Sequence, residues 1–194
     1  YTGDNFGDVG GTTTITDPHG VVRSEQYANG YLTKVIKALG TPREATWTYT
    51  YDPDTFGQTS ARDPNGHTSR HTYDSHGRVL TVSDGLGNQT TYTYNGLGQP
   101  LTTTTPLGEV TTRTYDGKGN LLAETDPRGK TTTYTHGDSS HPEDVTAMTD
   151  PDGRTMVTTY DAKGDITSNA ISPTPDITLT TSFVYDEDGE KVCE

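Results

Sequence analysis

Four glycines, Gly66, Gly87, Gly108 and Gly129, follow one another at intervals of 21 residues. A fixed period of this kind marks a chain built by copying one small structural unit in tandem. Each of these glycines closes an Asp-Pro-x-Gly signal or a variant of it. The copies run from Asp17 to Gly20, Asp63 to Gly66, Asp84 to Gly87, Asp126 to Gly129 and Asp150 to Gly153, with Thr105 to Gly108 a relaxed one. A second signal, Tyr-Asp-x-x-Gly, alternates with the first at Tyr73 to Gly77, Tyr115 to Gly119, Tyr160 to Gly164 and Tyr185 to Gly189. Tyr94 to Gly98 carries Asn95 in place of the aspartate, and Tyr51 to Gly57 is two residues longer.

The phase between the signals is constant. Seven residues separate Gly20 from Tyr27, Gly40 from Trp47, Gly66 from Tyr73, Gly87 from Tyr94, Gly108 from Tyr115, Gly129 from His136 and Gly153 from Tyr160. The same step leads from Gly77, Gly98 and Gly119 to the head of the next turn. Glycine reaches positive φ and Asp or Asn bonds its own backbone, so both signals read as tight turns. The stretches between them are rich in Thr, Tyr and Val, residues that favour strands. Each repeat is therefore expected to be two short antiparallel strands, and successive repeats a meander. The turn-proximal aromatics should then share one face and run as a ladder across the strands, with Leu80, Leu101 and Leu122 as an apolar row.

Composition by itself points the other way. Leu, Ile, Val and Phe total 29 of 194 residues, and the net charge is -13, values that suit a disordered chain. The 40 Thr, 12 Tyr and 22 Gly, placed in phase, outweigh them. The acidic balance argues against a nucleic-acid partner, and no apolar run is long enough for a membrane-spanning helix. The single Cys193 has no intrachain partner. A start at Tyr1 and an end within a repeat read as a piece of a longer polypeptide.

Two stretches test the scheme. Leu32, Val35, Ile36 and Leu39 fit a helical template as well as a strand, and the repeat phase favours the strand. Around Ile171 to Ile177, with Pro173 and Pro175, the phase is lost, which reads as a long loop or a degenerate repeat.

His136, Asp138, His141, Glu143 and Asp144 form the richest polar cluster. Such residues in one loop are weak candidates for a metal site, but their spacing matches no known ligand motif and a solvated loop explains them. No metal, cofactor or catalytic residue is assigned, and the chain is not expected to be an enzyme.

The segments YDSHGRVL, YNGLGQPL, YDGKGNLL and YDAKGDI, interleaved with DPNG, DGLG, DPRG and DPDG, resemble the YD-repeat or RHS-repeat family. The resemblance is clearest over residues 51–192, looser over 17–50 and degenerate over 166–182. It implies a single array over residues 1–194, an all-β chain of ~21-residue hairpin repeats whose long antiparallel sheet curls into part of a hollow shell. In bacterial members such a shell encloses a toxin; animal relatives use it in adhesion. The resemblance thus implies a structural wall segment of a large secreted or cell-surface protein, partnered by flanking repeats and an enclosed toxin. The alternative is an adhesion or ligand-binding module using exposed aromatics and loops. The repeat positions that carry the scheme are Tyr27, Trp47, Tyr73, Tyr94, Tyr115, His136, Tyr160 and Tyr185, with Gly20, Gly66, Gly77, Gly87, Gly98, Gly108, Gly119, Gly129, Gly153, Gly164 and Gly189.

Overall fold

The computed structural model describes residues 2–3, 10–174, 177–186 and 190–192, and every regular element among them is a β-strand. The chain divides into two compact units, residues 1–93 with 104–108, and residues 94–103 with 109–194.

In the first unit the strands are β1 (Thr2–Gly3), β2 (Gly11–Thr16), β3 (Val22–Ala28), β4 (Tyr31–Lys37) and β5 (Ala45–Tyr51). They continue as β6 (Gln58–Arg62), β7 (Thr68–Tyr73), β8 (Val79–Ser83) and β9 (Gln89–Tyr94). Each pairs antiparallel with its successor, the meander expected from the turns. The second unit holds β10 (Pro100–Thr104), β11 (Val110–Tyr115), β12 (Leu121–Thr125), β13 (Thr131–Thr135) and β14 (Ala147–Thr149). β15 (Thr155–Tyr160), β16 (Ile166–Thr174) and β17 (Ile177–Ser182) follow, and consecutive pairing runs from β11 to β17. β18 (Val184–Tyr185) and β19 (Lys191–Val192) make a separate two-stranded piece.

The two sequence signals turn out to be one turn. At Asp63 the backbone N–H bonds the His67 carbonyl, and the Gly66 N–H returns to the Asp63 carbonyl. At Asp74 the same pair of bonds joins Arg78 and Gly77. The aspartate Oδ1 accepts two further backbone N–H groups, as Asp116 does from Lys118 and Asn120. Asn95 does the same for Leu97 and Gln99, which is why it stands in for aspartate. The glycines predicted to close these turns, from Gly20 to Gly164, sit at φ between 77° and 98°. An L-residue there would be strained, so glycine closes each of these turns, whereas the longer turn after Tyr51 has Phe56 at φ 61°. Gly189 lies outside the described residues.

What distinguishes the Tyr-Asp turns is the residue before them. The strand register slips by one between Thr50 and Tyr51, Thr72 and Tyr73, Thr114 and Tyr115, and Thr159 and Tyr160. Each slip is a β-bulge that re-aims the tyrosine at the strand end. Threonine hydroxyls bond across the strands, Thr72 to Thr81 at 2.8 Å beside a bulge, and Thr125 to Thr131 at 2.9 Å and Thr149 to Thr155 at 3.2 Å beside Asp-Pro turns. The high threonine content thus supplies cross-strand pairs in place of apolar volume.

Apolar burial is concentrated in one place. Val35 (4% exposed) and Ile36 (8%) are the buried hydrophobic residues among those described. They are neighbours on β4, so their side chains leave opposite faces of the sheet. Val35 lies opposite Trp47 and Ile36 opposite Thr46 and Ser24. The segment that fits a helical template is therefore a strand, and its run of apolar residues reflects burial on both faces.

At Ile171 to Ile177, read as a long loop or a degenerate repeat, the described residues belong to strands, which favours the second reading. β16 is nine residues long and pairs with β17, with a register irregularity between Ile171 and Thr174. The turn motifs are missing because strand pairing simply continues past the usual repeat length.

Candidate functional site

The recurring side-chain feature of the repeat is a hydrogen bond from the tyrosine before a turn to the backbone of the preceding repeat, seen at Tyr51, Tyr73, Tyr115, Tyr160 and Tyr185. The Tyr73 hydroxyl donates to the Gln58 carbonyl at 2.8 Å, Tyr115 to Pro100 at 3.0 Å and Tyr160 to Val145 at 2.9 Å, each 15 residues back. Tyr51 reaches Leu32 and Tyr185 reaches Ile166, both 19 residues back and both at 2.9 Å. The acceptors sit at or next to the start of the strand that leaves the previous turn. One phenol therefore ties two successive hairpins together, a link that neither hairpin makes alone. Tyr94 ends β9, half-buried.

Two predicted positions differ. The Tyr27 hydroxyl donates to Glu25 on its own strand, at 2.6 Å. Trp47 does not hold the aromatic position of its repeat. It lies within β5, opposite Val35, with the Lys37 ammonium 4.7 Å from its ring centre. The anchor there is Tyr51. The seven-residue count from Gly40 misleads because residues 38–44 form a turn of another kind, with Ala38 at φ 53° and the Gly40 N–H on the Glu44 carboxylate. The aspartate after Tyr51 is the better signal, since it heads the turn that positions the ring. Ring pairs occur at Tyr31–Tyr51 (4.8 Å) and Tyr31–Phe56 (6.1 Å).

Tyr115→Phe keeps the ring and removes the donor. It is expected to cost about 1 kcal/mol, read as a lower urea midpoint with an unchanged slope. No change would show that the phenol bond does not stabilise the array.

At Asp63, Asp74, Asp84, Asp116 and Asp161 the turn holds the carboxyl below its usual range. The Asn120 N–H is the main cause at Asp116, the Asn88 side-chain amide at Asp84, and the Asp165 N–H at Asp161. A depressed folded-state value means that this stability is present above the unfolded value, 3.8, and is lost as pH falls through the folded one. The contribution of these carboxylates to stability is expected to be flat above about pH 5 and to fall below about pH 4. Asp116→Asn, which copies Asn95, should make that fall shallower; an unchanged acid profile would remove the turn carboxylates as its cause.

His136 occupies the tyrosine position where the sequence inserts a longer loop. Its Nε2 lies 2.9 Å from the Leu121 carbonyl, again 15 residues back, and its Nδ1 lies 3.0 Å from the Glu143 carbonyl. Both nitrogens thus face backbone carbonyl oxygens, not carboxylates or other histidines. Asp138 instead accepts the Ser140 N–H, which holds its carboxyl below the ordinary range. His141 packs against Gly164, with Nδ1 3.7 Å from Asp138. Pro142 offers its carbonyl to the Asn120 amide at 2.9 Å. Among the described residues, no group of three or more His, Cys, Asp or Glu is arranged to hold a metal ion. An open groove of about 430 Å³ runs beside the loop, lined by Gly137, Asp138, Thr146, Val157 and Tyr160. Tyr160 is pushed up by burial and then by the Asp144 charge. Its hydroxyl is spent on the Val145 carbonyl, so the groove wall presents no free acid or base from that residue.

No curated protein matches the chain. Among solved structures, similarity extends to a TcdB2-TccC3-Cdc42 crystal structure (14% identity, TM-score 0.47, 94% of this chain). It also extends to a Photorhabdus luminescens Tc holotoxin pore (17%, 0.48, 92%). A porin-like protein from Bacteroides uniformis is a third (18%, 0.37, 91% of this chain and 89% of that one). The chain spans 15% and 13% of the length of the two toxin chains. The family model described as RHS Repeat matches residues 54–89, 73–110 and 115–141. Those residues contain the turn-and-anchor unit described above, and over them the chain is similar to the RHS repeat.

Proposed function

We propose that the chain is a structural segment of an RHS-repeat shell, one array over residues 1–194 that continues into flanking repeats of the same polypeptide. The observation that supports this most is the aromatic anchor. A bond that recurs from one hairpin to the one before it, at Tyr51, Tyr73, Tyr115, His136, Tyr160 and Tyr185, props a sheet of stacked repeats, so the repeat suits a wall. A long antiparallel sheet twists, and curling is how a single layer of this length avoids staying flat. In this reading the wall curls around an enclosed toxin or effector domain of a large secreted or cell-surface protein, and no reaction is assigned to it.

Electron microscopy of the chain joined to its flanking repeats should show a closed hollow particle. A solid or extended rod would count against the proposal. A contact role is favoured by the side chains at turn tips, since Leu86 is 82% exposed and Leu107 85%. Retention of a partner by the wild type, and its loss in the Leu86→Ser, Leu107→Ser variant, would favour that second reading; equal retention by both would exclude it.

A further inference from the structure

We propose that His136 is a proton-operated latch on the loop at residues 137–144. Elsewhere the repeat uses a phenol at this position, which brings one donor to one carbonyl. His136 brings two ring nitrogens to two carbonyls, Leu121 on β12 at 2.9 Å and Glu143 in the loop at 3.0 Å. A carbonyl oxygen only accepts, and a neutral imidazole carries one N–H and one lone pair. Only the imidazolium donates to both. In the neutral ring one nitrogen lone pair must face a carbonyl oxygen, so one of the two bonds is lost.

The bond to Leu121 lies in partly buried surroundings and the one to Glu143 is exposed. Deprotonation therefore releases Glu143, because water can replace that partner at least cost. The loop keeps its ties from Gly137 N–H to Thr146 and from Asn120 to the Pro142 carbonyl, so it loosens at its Glu143 end without unfolding. The groove beside Gly137 and Asp138 is the space such loosening would change.

The other titratable and charged groups around the latch come from every neighbouring element. On the turn before β12, Asp116 accepts the N–H groups of Lys118 and Asn120; on β12, Glu124 is paired with Arg113 at 2.7 Å. The loop contributes Asp138, His141, Glu143 and Asp144, and the end of β15 contributes Tyr160 and Asp161. Asp161 is engaged by the N–H groups of Lys163 and Asp165. Histidine is the side-chain type whose charge changes near neutral pH, so the test has to separate His136 from His141.

The sign follows from the donor count. The closed loop requires the protonated ring, so its extra stability is present at low pH and is lost as pH rises through the histidine range. Hydrogen exchange of the full 194-residue chain tests this. Protection factors at residues 137–144, corrected for intrinsic rates, should fall about five- to tenfold between about pH 5.5 and 8. His136→Tyr restores the residue used in the other repeats and should abolish the pH dependence. His141→Gln should retain it, and nitrogen-detected spectra at about pH 5.5 should show both ring N–H groups of His136. Unchanged wild-type protection, a pH response that survives in His136→Tyr, or one that disappears in His141→Gln would overturn the proposal.

Discussion

Replacing Ile36 by alanine is expected to destabilise the unit containing β2 to β9 by about 2–5 kcal/mol. The side chain is 8% exposed, and it and Val35, both on β4, are the buried hydrophobic residues among those described. Elsewhere the sheet is half-covered, so no neighbouring core exists to absorb the loss, and the cavity term adds to the transfer term. Ile15 on β2 is the control, because at 41% exposure its truncation removes much less buried area. Ile15→Ala is expected to cost less than about 1 kcal/mol. Urea unfolding of the two variants followed side by side measures the contrast. Equal losses would mean that the stability of this unit is spread evenly over the sheet and is not centred on β4.

The second large effect is expected at Gly57. A Cβ built there would lie 2.5 Å from Cζ of Tyr73 and within 2.8 Å of both Cε atoms. Gly57→Ala must push the ring away, and the ring cannot move without weakening its bond to the Gln58 carbonyl. Overpacking costs about 1–3 kcal/mol and the anchor about 1 more, so the sum is about 2–4 kcal/mol. The clash has a specific signature. In a Tyr73→Ala background the same substitution should cost at least about 1 kcal/mol less, because the ring it strikes has gone. Additive losses would show that Gly57 matters for its backbone and not for the space it leaves. In its turn the left-handed residue is Phe56, at φ 61°, so Gly57 is free of the duty that the other turn glycines perform.

Gly57 and Gly66 look alike in the sequence, each a glycine closing a repeat signal, and the structure uses them differently. Gly66 is read correctly because its role is written within four residues. Asp63 heads the turn, Pro64 follows, and the glycine takes φ 90°. Gly57 is misread because its role depends on a ring 16 residues away, which local spacing does not encode. Trp47 and Tyr51 divide in the same manner. Counting seven residues from Gly40 selects Trp47, yet the turn after β4 departs from the common form and shifts the bulge to Tyr51. The helical template over residues 32–39 arises from burial on both faces of β4, a pattern that periodicity alone does not separate from a helix.

The loop after β13 shows where local reading ends. The sequence places His136 correctly at the anchor position, since the seven-residue step from Gly129 survives the change of residue. What it does not contain is the second acceptor. The Glu143 carbonyl comes within 3.0 Å of Nδ1 because the loop doubles back, and that same arrangement turns His136 to the backbone while Asp138 and His141 face each other. A cluster in the sequence thus divides in space.

By itself the sequence determined the turns and, through their spacing, the strands and the antiparallel meander. These follow from hydrogen bonds between residues at most four apart, so the information is local and survives substitution of the aromatic. The tertiary structure decided which carbonyl each aromatic reaches, which glycine makes room for a ring, and that His136 bridges two backbone oxygens. Those contacts join hairpins across 15 to 19 residues, and they depend on strand register and on the bulge that re-aims each ring. Register is a property of paired strands, and it exists only once the chain has folded.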